Sequence, residues 1–105
     1  MVSLVGLVVG LMGLYTSNRP SAYVQNVLAL PGERQQGAAI FSMNCAVCHG
    51  LMADGRVGPS LKNVSMRKSP AALIEQVTSG KTPPMPQFQP DPQVMADLLS
   101  YLESL

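Results

Sequence analysis

The hydrophobic pattern separates an uncharged apolar segment from a longer part with helical periodicity. Residues 1–18 carry no charged side chain and are almost continuously apolar, and Arg19 is the first charge. The run just reaches the roughly 17 to 25 residues of a membrane-spanning helix, with Tyr15 placed like an interfacial aromatic residue. We therefore predict a transmembrane signal anchor at residues 1–18. A cleaved signal peptide is the alternative, although no basic residue precedes the run and the small residues ending at Ala22 make a poor cleavage site.

Residues 19–32 are predicted to be a linker, because Pro20 and the pair Pro31-Gly32 stand near its two ends. Within it, apolar residues recur at helical spacing: Tyr23, Val24, Val27 and Leu28. This spacing permits a short helix against the membrane surface or against the following domain. A loosely structured tether is the alternative. The pattern assigns no chemistry to this segment.

Residues 33–105 are predicted to form one all-α domain with three main helices and no strand. The first helix runs from about residue 32 to residue 44. The second has Ser69 as its N-cap and stops at Gly80, and the third has Asp91 as its N-cap; a proline follows each cap. The third helix carries an apolar stripe: Val94, Leu98, Tyr101, Leu102 and Leu105.

Composition limits the possible functions. Seven basic and six acidic residues leave a net charge of +1, which does not favour nucleic acid or another polyanion as a partner. The aromatic residues are two Phe and three Tyr, with no Trp. A domain of about 70 residues is close to the size at which a hydrophobic core alone is marginal. We therefore expect a bound group that completes and staples the interior.

The chemistry is concentrated in the sequence Cys45-Ala46-Val47-Cys48-His49, which has the C-x-x-C-H form of a haem attachment site. Two thiols three residues apart on one helical turn can add to the two vinyl groups of a porphyrin. The next residue then presents its imidazole to the iron, which neutral imidazole binds well. The motif predicts one covalent haem c, with His49 as an axial ligand.

Other uses of these cysteines need different surroundings. A thioredoxin-like redox pair would lie in a chain of alternating strands and helices, which the pattern does not predict. A zinc site normally takes four ligands, and the chain holds only two Cys and one His. A structural disulfide between Cys45 and Cys48 remains possible.

The loop after the motif is rich in glycine, and Gly50, Gly55 and Gly58 would let the backbone pass close to the edge of a flat ligand. Pro59 follows directly. A carbonyl near the axial histidine could accept the second N–H of the imidazole, which is the usual way of fixing a ligand ring. Pro59 is the candidate acceptor.

These motifs together resemble the class I cytochrome c family. The resemblance rests on residues 45–49, on Gly58-Pro59-Ser60-Leu61, on Pro84-Met85-Pro86 and on a final amphipathic helix bearing Tyr101. It covers residues 33–105 and implies the cytochrome c fold around the haem, with the first and last helices crossing near Gly37 and Phe41. Within the family, an apolar N-terminal segment joined to a small haem domain most resembles the membrane-anchored cytochrome M subfamily of cyanobacteria.

The resemblance implies that Met85 is the sixth iron ligand. From the residues themselves, the single His excludes ligation by two histidines, and the positions of the seven methionines leave Met66 and Met85. Met85 stands between prolines, which lower the entropy cost of holding a thioether on iron. The sequence therefore favours Met85 over Met66.

A haem with both axial positions filled offers no substrate site, so the chain is predicted to be a one-electron carrier and not an enzyme. A haem sensor or a peroxidase-like protein with a displaceable sixth ligand is one alternative. The other is a structural haem subunit of a larger respiratory or photosynthetic complex. No small-molecule substrate is predicted.

The expected partners are redox proteins at a photosynthetic or respiratory membrane, with a terminal oxidase as the acceptor that the resemblance implies. Between the motif and Met85, basic residues outnumber the two acidic residues, Asp54 and Glu75. The basic residues are Arg56, Lys62, Arg67, Lys68 and Lys81. This bias favours an acidic docking surface on the partner. We expect the chain in the thylakoid or cytoplasmic membrane, with the haem domain on the lumenal or periplasmic side, where c-type haem is attached.

Overall fold

A computed structural model of the chain describes residues 3–105, without the side chains of residues 16–18. This part contains six α-helices: α1 Leu4–Asn18, α2 Ala22–Leu28, α3 Arg34–Asn44, α4 Ala46–His49, α5 Pro70–Ser79 and α6 Pro92–Glu103. A short 3₁₀ helix, Val64–Met66, precedes α5. No strand occurs among the described residues, so the prediction of an all-α domain is confirmed.

The two helices with predicted caps begin as the sequence indicates. The Ser69 hydroxyl accepts the Ala72 N–H at 3.2 Å at the start of α5, and the Asp91 carboxylate accepts the Val94 N–H at 3.0 Å at the start of α6. Helix α5 ends at Gly80, whose φ of 67° is the left-handed conformation that favours glycine. Local sequence therefore fixes both helices that follow the attachment motif.

Helices α3 and α6 cross closely, as the resemblance implied. A Cβ atom at Gly37 would lie 1.9 Å from the carbonyl oxygen of Asp97, so only glycine permits this approach. One turn further along α3, the Phe41 ring packs against the Tyr101 ring with centroids 5.2 Å apart. The Asp97 carboxylate accepts the Glu33 N–H at 2.9 Å and so caps α3 from the other helix.

Helix α2 is part of the folded domain. Val24 and Val27 are 2% and 1% exposed, and both lie in the core with Phe41 and Met95. The Tyr23 hydroxyl donates a hydrogen bond to the carbonyl oxygen of Pro90 at 2.7 Å. Several possibilities were left open for residues 19–32. In the structure this segment contains a short helix, α2, that packs against the domain.

The membrane-spanning helix predicted for residues 1–18 is not found in that form. Helix α1 contains 15 residues, and within residues 3–105 no helix is both long and apolar enough to cross a membrane. Residues 1 and 2 of the predicted anchor lie outside the described residues.

Replacing Gly37 with alanine should destabilise the protein by about 2–3 kcal/mol, because the new methyl group meets the backbone of α6 and the two helices must separate. Thermal and denaturant unfolding of the haem protein measure the change. Gly10→Ala is the control, since a Cβ at that position meets nothing within 4 Å beyond its chain neighbours and the backbone of its own helix. An unchanged unfolding midpoint for Gly37→Ala would show that the helices do not cross at this point.

Candidate haem-binding site

The attachment motif forms a single helical turn at the end of α3. Cys45 terminates α3 with its N–H bonded to the Phe41 carbonyl at 2.8 Å, and its own carbonyl accepts the N–H groups of Cys48 and His49 at 3.2 and 3.0 Å. The two thiols and the imidazole therefore stand on one helical turn, made by Cys45 and α4. This is the arrangement that the C-x-x-C-H spacing predicts.

Both thiols are free and partly buried, so the structure contains no disulfide between Cys45 and Cys48. Burial, followed by the nearby Cys48, raises the pKa of the Cys45 thiol to about 11. Cys45 is therefore protonated at neutral pH. Among the described residues, no group of three or more His, Cys, Asp or Glu is arranged to hold a metal ion.

A backbone carbonyl orients the imidazole of His49. The Nδ1 atom lies 2.9 Å from the carbonyl oxygen of Pro59. A carbonyl can only accept, so Nδ1 carries a proton, and in the neutral imidazole Nε2 then keeps its lone pair. The ring is thus held in the tautomer that an iron ligand requires.

The glycine-rich loop folds back over the attachment turn. The Gly55 N–H bonds to the His49 carbonyl at 2.8 Å, and the Gly58 N–H bonds to the Cys48 carbonyl at 2.6 Å. A Cβ atom at Gly58 would lie 2.7 Å from Cε1 of His49. The sequence predicted that Gly58 lets the backbone pass close to the edge of a flat ligand. In the structure, the group next to Gly58 is the imidazole ring of His49.

Met85 lies in the loop between α5 and α6, where it is partly buried against the core. Its N–H donates to the Thr82 carbonyl at 2.9 Å, and its sulfur lies 3.9 Å from the Nε2 atom of Gln76. Met66, the other candidate ligand, is 84% exposed in the 3₁₀ helix. Met85 is therefore the methionine that the surrounding chain holds in place.

The predicted site residues thus fall into two units. Cys45, Cys48, His49 and Pro59 are joined by hydrogen bonds and by the turn of α4, whereas Met85 belongs to a second unit with Gln76 and Thr82. Sequence reasoning missed Gln76 and Thr82. The available signal was a polar residue, Gln76, directly beside the apolar stripe of α5.

Comparison with known proteins identifies the class. Residues 32–102 match the family model described as cytochrome C oxidase, cbb3-type, subunit III. The chain therefore belongs to the class I c-type cytochrome family, whose members carry electrons and are not enzymes. The family implies a covalent haem c, in agreement with the cysteines at positions 45 and 48.

Individual relatives agree with this assignment. A cytochrome c-553-like protein of Synechocystis sp. is 54% identical over 105 residues, which is 100% of both chains. Cytochrome c6 of Nostoc sp. is 37% identical over 84 residues, covering 70% of this chain and 72% of the relative. The cbb3-type cytochrome c oxidase subunit FixP of Bradyrhizobium sp. is 31% identical over 94 residues, covering 79% of this chain but 32% of that subunit.

The residues of the site fit the group that the family implies. Two free thiols on one turn can form its thioether bonds, the lone pair of His49 Nε2 is available to iron, and Met85 offers a thioether sulfur. The chain is a monohaem cytochrome c related to the oxidase subunit and to cytochrome c6.

Proposed function

We propose that this chain carries single electrons on one haem c, bound covalently through Cys45 and Cys48, with His49 and Met85 as the axial iron ligands. The haem supplies reversible one-electron exchange through its porphyrin edge. The observation that carries the proposal is the contact between His49 Nδ1 and the Pro59 carbonyl at 2.9 Å, because it leaves Nε2 free to bind iron.

The residues of the chain support electron transfer as the function of the site. His49 is held by Pro59 and by the backbone of Gly58, while Met85 is held by Thr82 and Gln76. With haem bound, His49 and Met85 would be its two axial ligands, and iron would then keep no place for a substrate. This arrangement argues against a haem sensor or a peroxidase-like protein, each of which needs a displaceable sixth ligand.

A haem subunit of a larger complex is the second candidate. It is supported by the match to the model of a cbb3-type oxidase subunit and by the similarity to FixP. The full-length similarity to the cytochrome c-553-like protein favours an independent carrier instead. The apolar N-terminal segment supports a likeness to the cytochrome M subfamily. This likeness suggests a terminal oxidase as the electron acceptor.

The partner surface is proposed to be acidic. The basic residues of the loops are exposed: Arg56, Lys62, Arg67, Lys68 and Lys81. The guanidinium of Arg67 donates to the Lys62 carbonyl at 2.9 Å and to the Ser60 carbonyl at 3.4 Å, so it lies along the loop that continues from Pro59. Positive charge is thereby carried by the same loop that orients the axial histidine.

Oxidation of the reduced protein by a purified terminal oxidase should slow as salt rises, because charge steering is screened over about 8 Å at physiological ionic strength. Changing Lys62, Lys68 and Lys81 to Glu should slow it further. The control is Arg34→Glu, since Arg34 begins α3 and lies about 15 Å along that helix from the attachment turn. Rates that respond neither to salt nor to the charge reversals would contradict electrostatic docking.

We also propose that residues 1–18 hold the protein at a thylakoid or cytoplasmic membrane, with the haem domain on the lumenal or periplasmic side. The support is the apolar surface of α1, where Leu4, Val5 and Val9 are 76%, 73% and 63% exposed. The Arg19 guanidinium lies 6.0 Å from the centre of the Tyr15 ring, as suits a residue at a lipid headgroup boundary.

The full chain should sediment with membranes, and Val9→Lys with Met12→Lys should release it, because each charge placed in hydrocarbon costs about 2.5–3.5 kcal/mol. Leu28→Lys with Leu30→Lys is the control pair, as these exposed residues lie outside α1. The measurement is partition between membrane and soluble fractions. Recovery of a soluble mature protein that begins near Ser21 or Tyr23 would favour a cleaved signal peptide.

A further inference from the structure

Thr82 contacts Met85 and Gln76, and the proposed iron ligation by His49 and Met85 does not by itself explain these contacts. Its carbonyl accepts the Met85 N–H at 2.9 Å. Its hydroxyl oxygen accepts a hydrogen bond from the Nε2 atom of Gln76 at 3.0 Å. The side chain thus joins the loop that carries Met85 to helix α5.

The same Gln76 nitrogen is 3.9 Å from the sulfur of Met85. A thioether sulfur can only accept, so the NH₂ edge of the amide must face it. The terminal side-chain torsion of glutamine has a broad range of allowed angles, and Gln76 is only partly buried. A contact with the sulfur alone would therefore hold the amide group weakly. The Thr82 hydroxyl supplies a second acceptor for the same NH₂ group and fixes the amide plane.

We propose that Thr82 is a positioning residue that acts through Gln76 to keep an N–H directed at the Met85 sulfur. This inference rests on the proposed ligation of iron by Met85. A hydrogen bond to the sulfur withdraws electron density from it, which weakens its donation to ferric iron more than to ferrous iron. Thr82 would therefore raise the reduction potential without touching the haem ligand's side chain.

The test compares reduction potentials of the full haem-loaded chain by optical redox titration. Thr82→Val keeps the shape of the side chain but removes the acceptor, so the Gln76 amide should turn toward water. At a fixed ambient potential the ratio of oxidised to reduced protein should rise about two- to fourfold, as expected for the loss of one weak hydrogen bond. Thr82→Ser should restore the parent value, because it restores the hydroxyl.

A double-variant comparison separates this role from general loop support. Gln76→Leu should lower the potential at least as much as Thr82→Val, and adding Thr82→Val to Gln76→Leu should change nothing more. Ser79→Ala is the control, since that hydroxyl, at the end of α5, accepts the Lys81 N–H at 3.3 Å and takes no part in the contacts among Gln76, Thr82 and Met85. It should leave the potential unchanged.

Two results would overturn the inference. One is an unchanged potential in Thr82→Val; the other is an additive effect of the two changes, which would mean that Thr82 acts on the loop independently of Gln76. The methionine absorption of the oxidised protein is recorded for every variant. If the parent itself lacks that absorption, the proposed ligation by Met85 is wrong. If the parent has the absorption but Thr82→Val has the same reduction potential as the parent, only the role of Thr82 is wrong.

Discussion

Replacing Met85 with alanine is expected to remove the thioether absorption at the red end of the oxidised spectrum, lower the reduction potential and let small ligands bind iron. The effect should be large, because the axial ligands set haem potentials over a range of about 0.8 V. Loss of a soft sulfur donor stabilises ferric iron relative to ferrous iron. Optical redox titration and cyanide binding to the oxidised protein measure the three changes together.

Met66→Ala provides the matched control for this prediction. Met66 is 84% exposed, whereas Met85 is partly buried and contacts both Thr82 and Gln76. The Met66 variant should keep the spectrum, the potential and the resistance to cyanide of the parent. The opposite pattern, with Met66→Ala losing the absorption and Met85→Ala retaining it, would transfer the ligand role to Met66.

The second large effect is expected when both cysteines are changed to serine. A Cys45→Ser, Cys48→Ser chain should lose covalent haem and most of its cooperative folding, because a core of this size supplies only about 3–5 kcal/mol by itself. Haem staining after denaturing electrophoresis reports the covalent bond. Circular dichroism and thermal melting report the fold.

The single variants Cys45→Ser and Cys48→Ser serve as internal controls. Each retains one thiol on the α4 turn and His49 beside it, so each should hold haem more weakly but still fold with it. A double variant that is as helical and as stable as the parent would disprove the claim that haem completes the core. The helical domain would then be stable on the strength of residues such as Phe41 and Ile74 alone.

Local features of the site and fold could be predicted from the sequence. The caps Ser69 and Asp91 act within three residues of themselves, so their helices begin where the pattern indicates. The C-x-x-C-H spacing likewise works within one turn. The Pro59 carbonyl was expected beside His49 because it follows the motif by a short, glycine-rich loop, and it lies at that position.

Other features depend on contacts between distant parts of the chain. The cap of α3 comes from Asp97, 64 residues after Glu33, and no local pattern contains it. The packing of α2 depends on Tyr23 reaching Pro90, which spacing alone did not distinguish from a free linker. Gln76 and Thr82 meet Met85 only because α5 and the following loop fold together.

We propose that one covalent haem, held by Cys45, Cys48, His49 and Met85, exchanges single electrons. A spectroelectrochemical titration of the full chain, made after one attached haem has been confirmed by mass, tests this proposal. We expect one reversible wave that fits a one-electron Nernst curve, with the methionine absorption present only in the oxidised form. A chain without attached haem, or a wave that is irreversible or involves more than one electron, would contradict it.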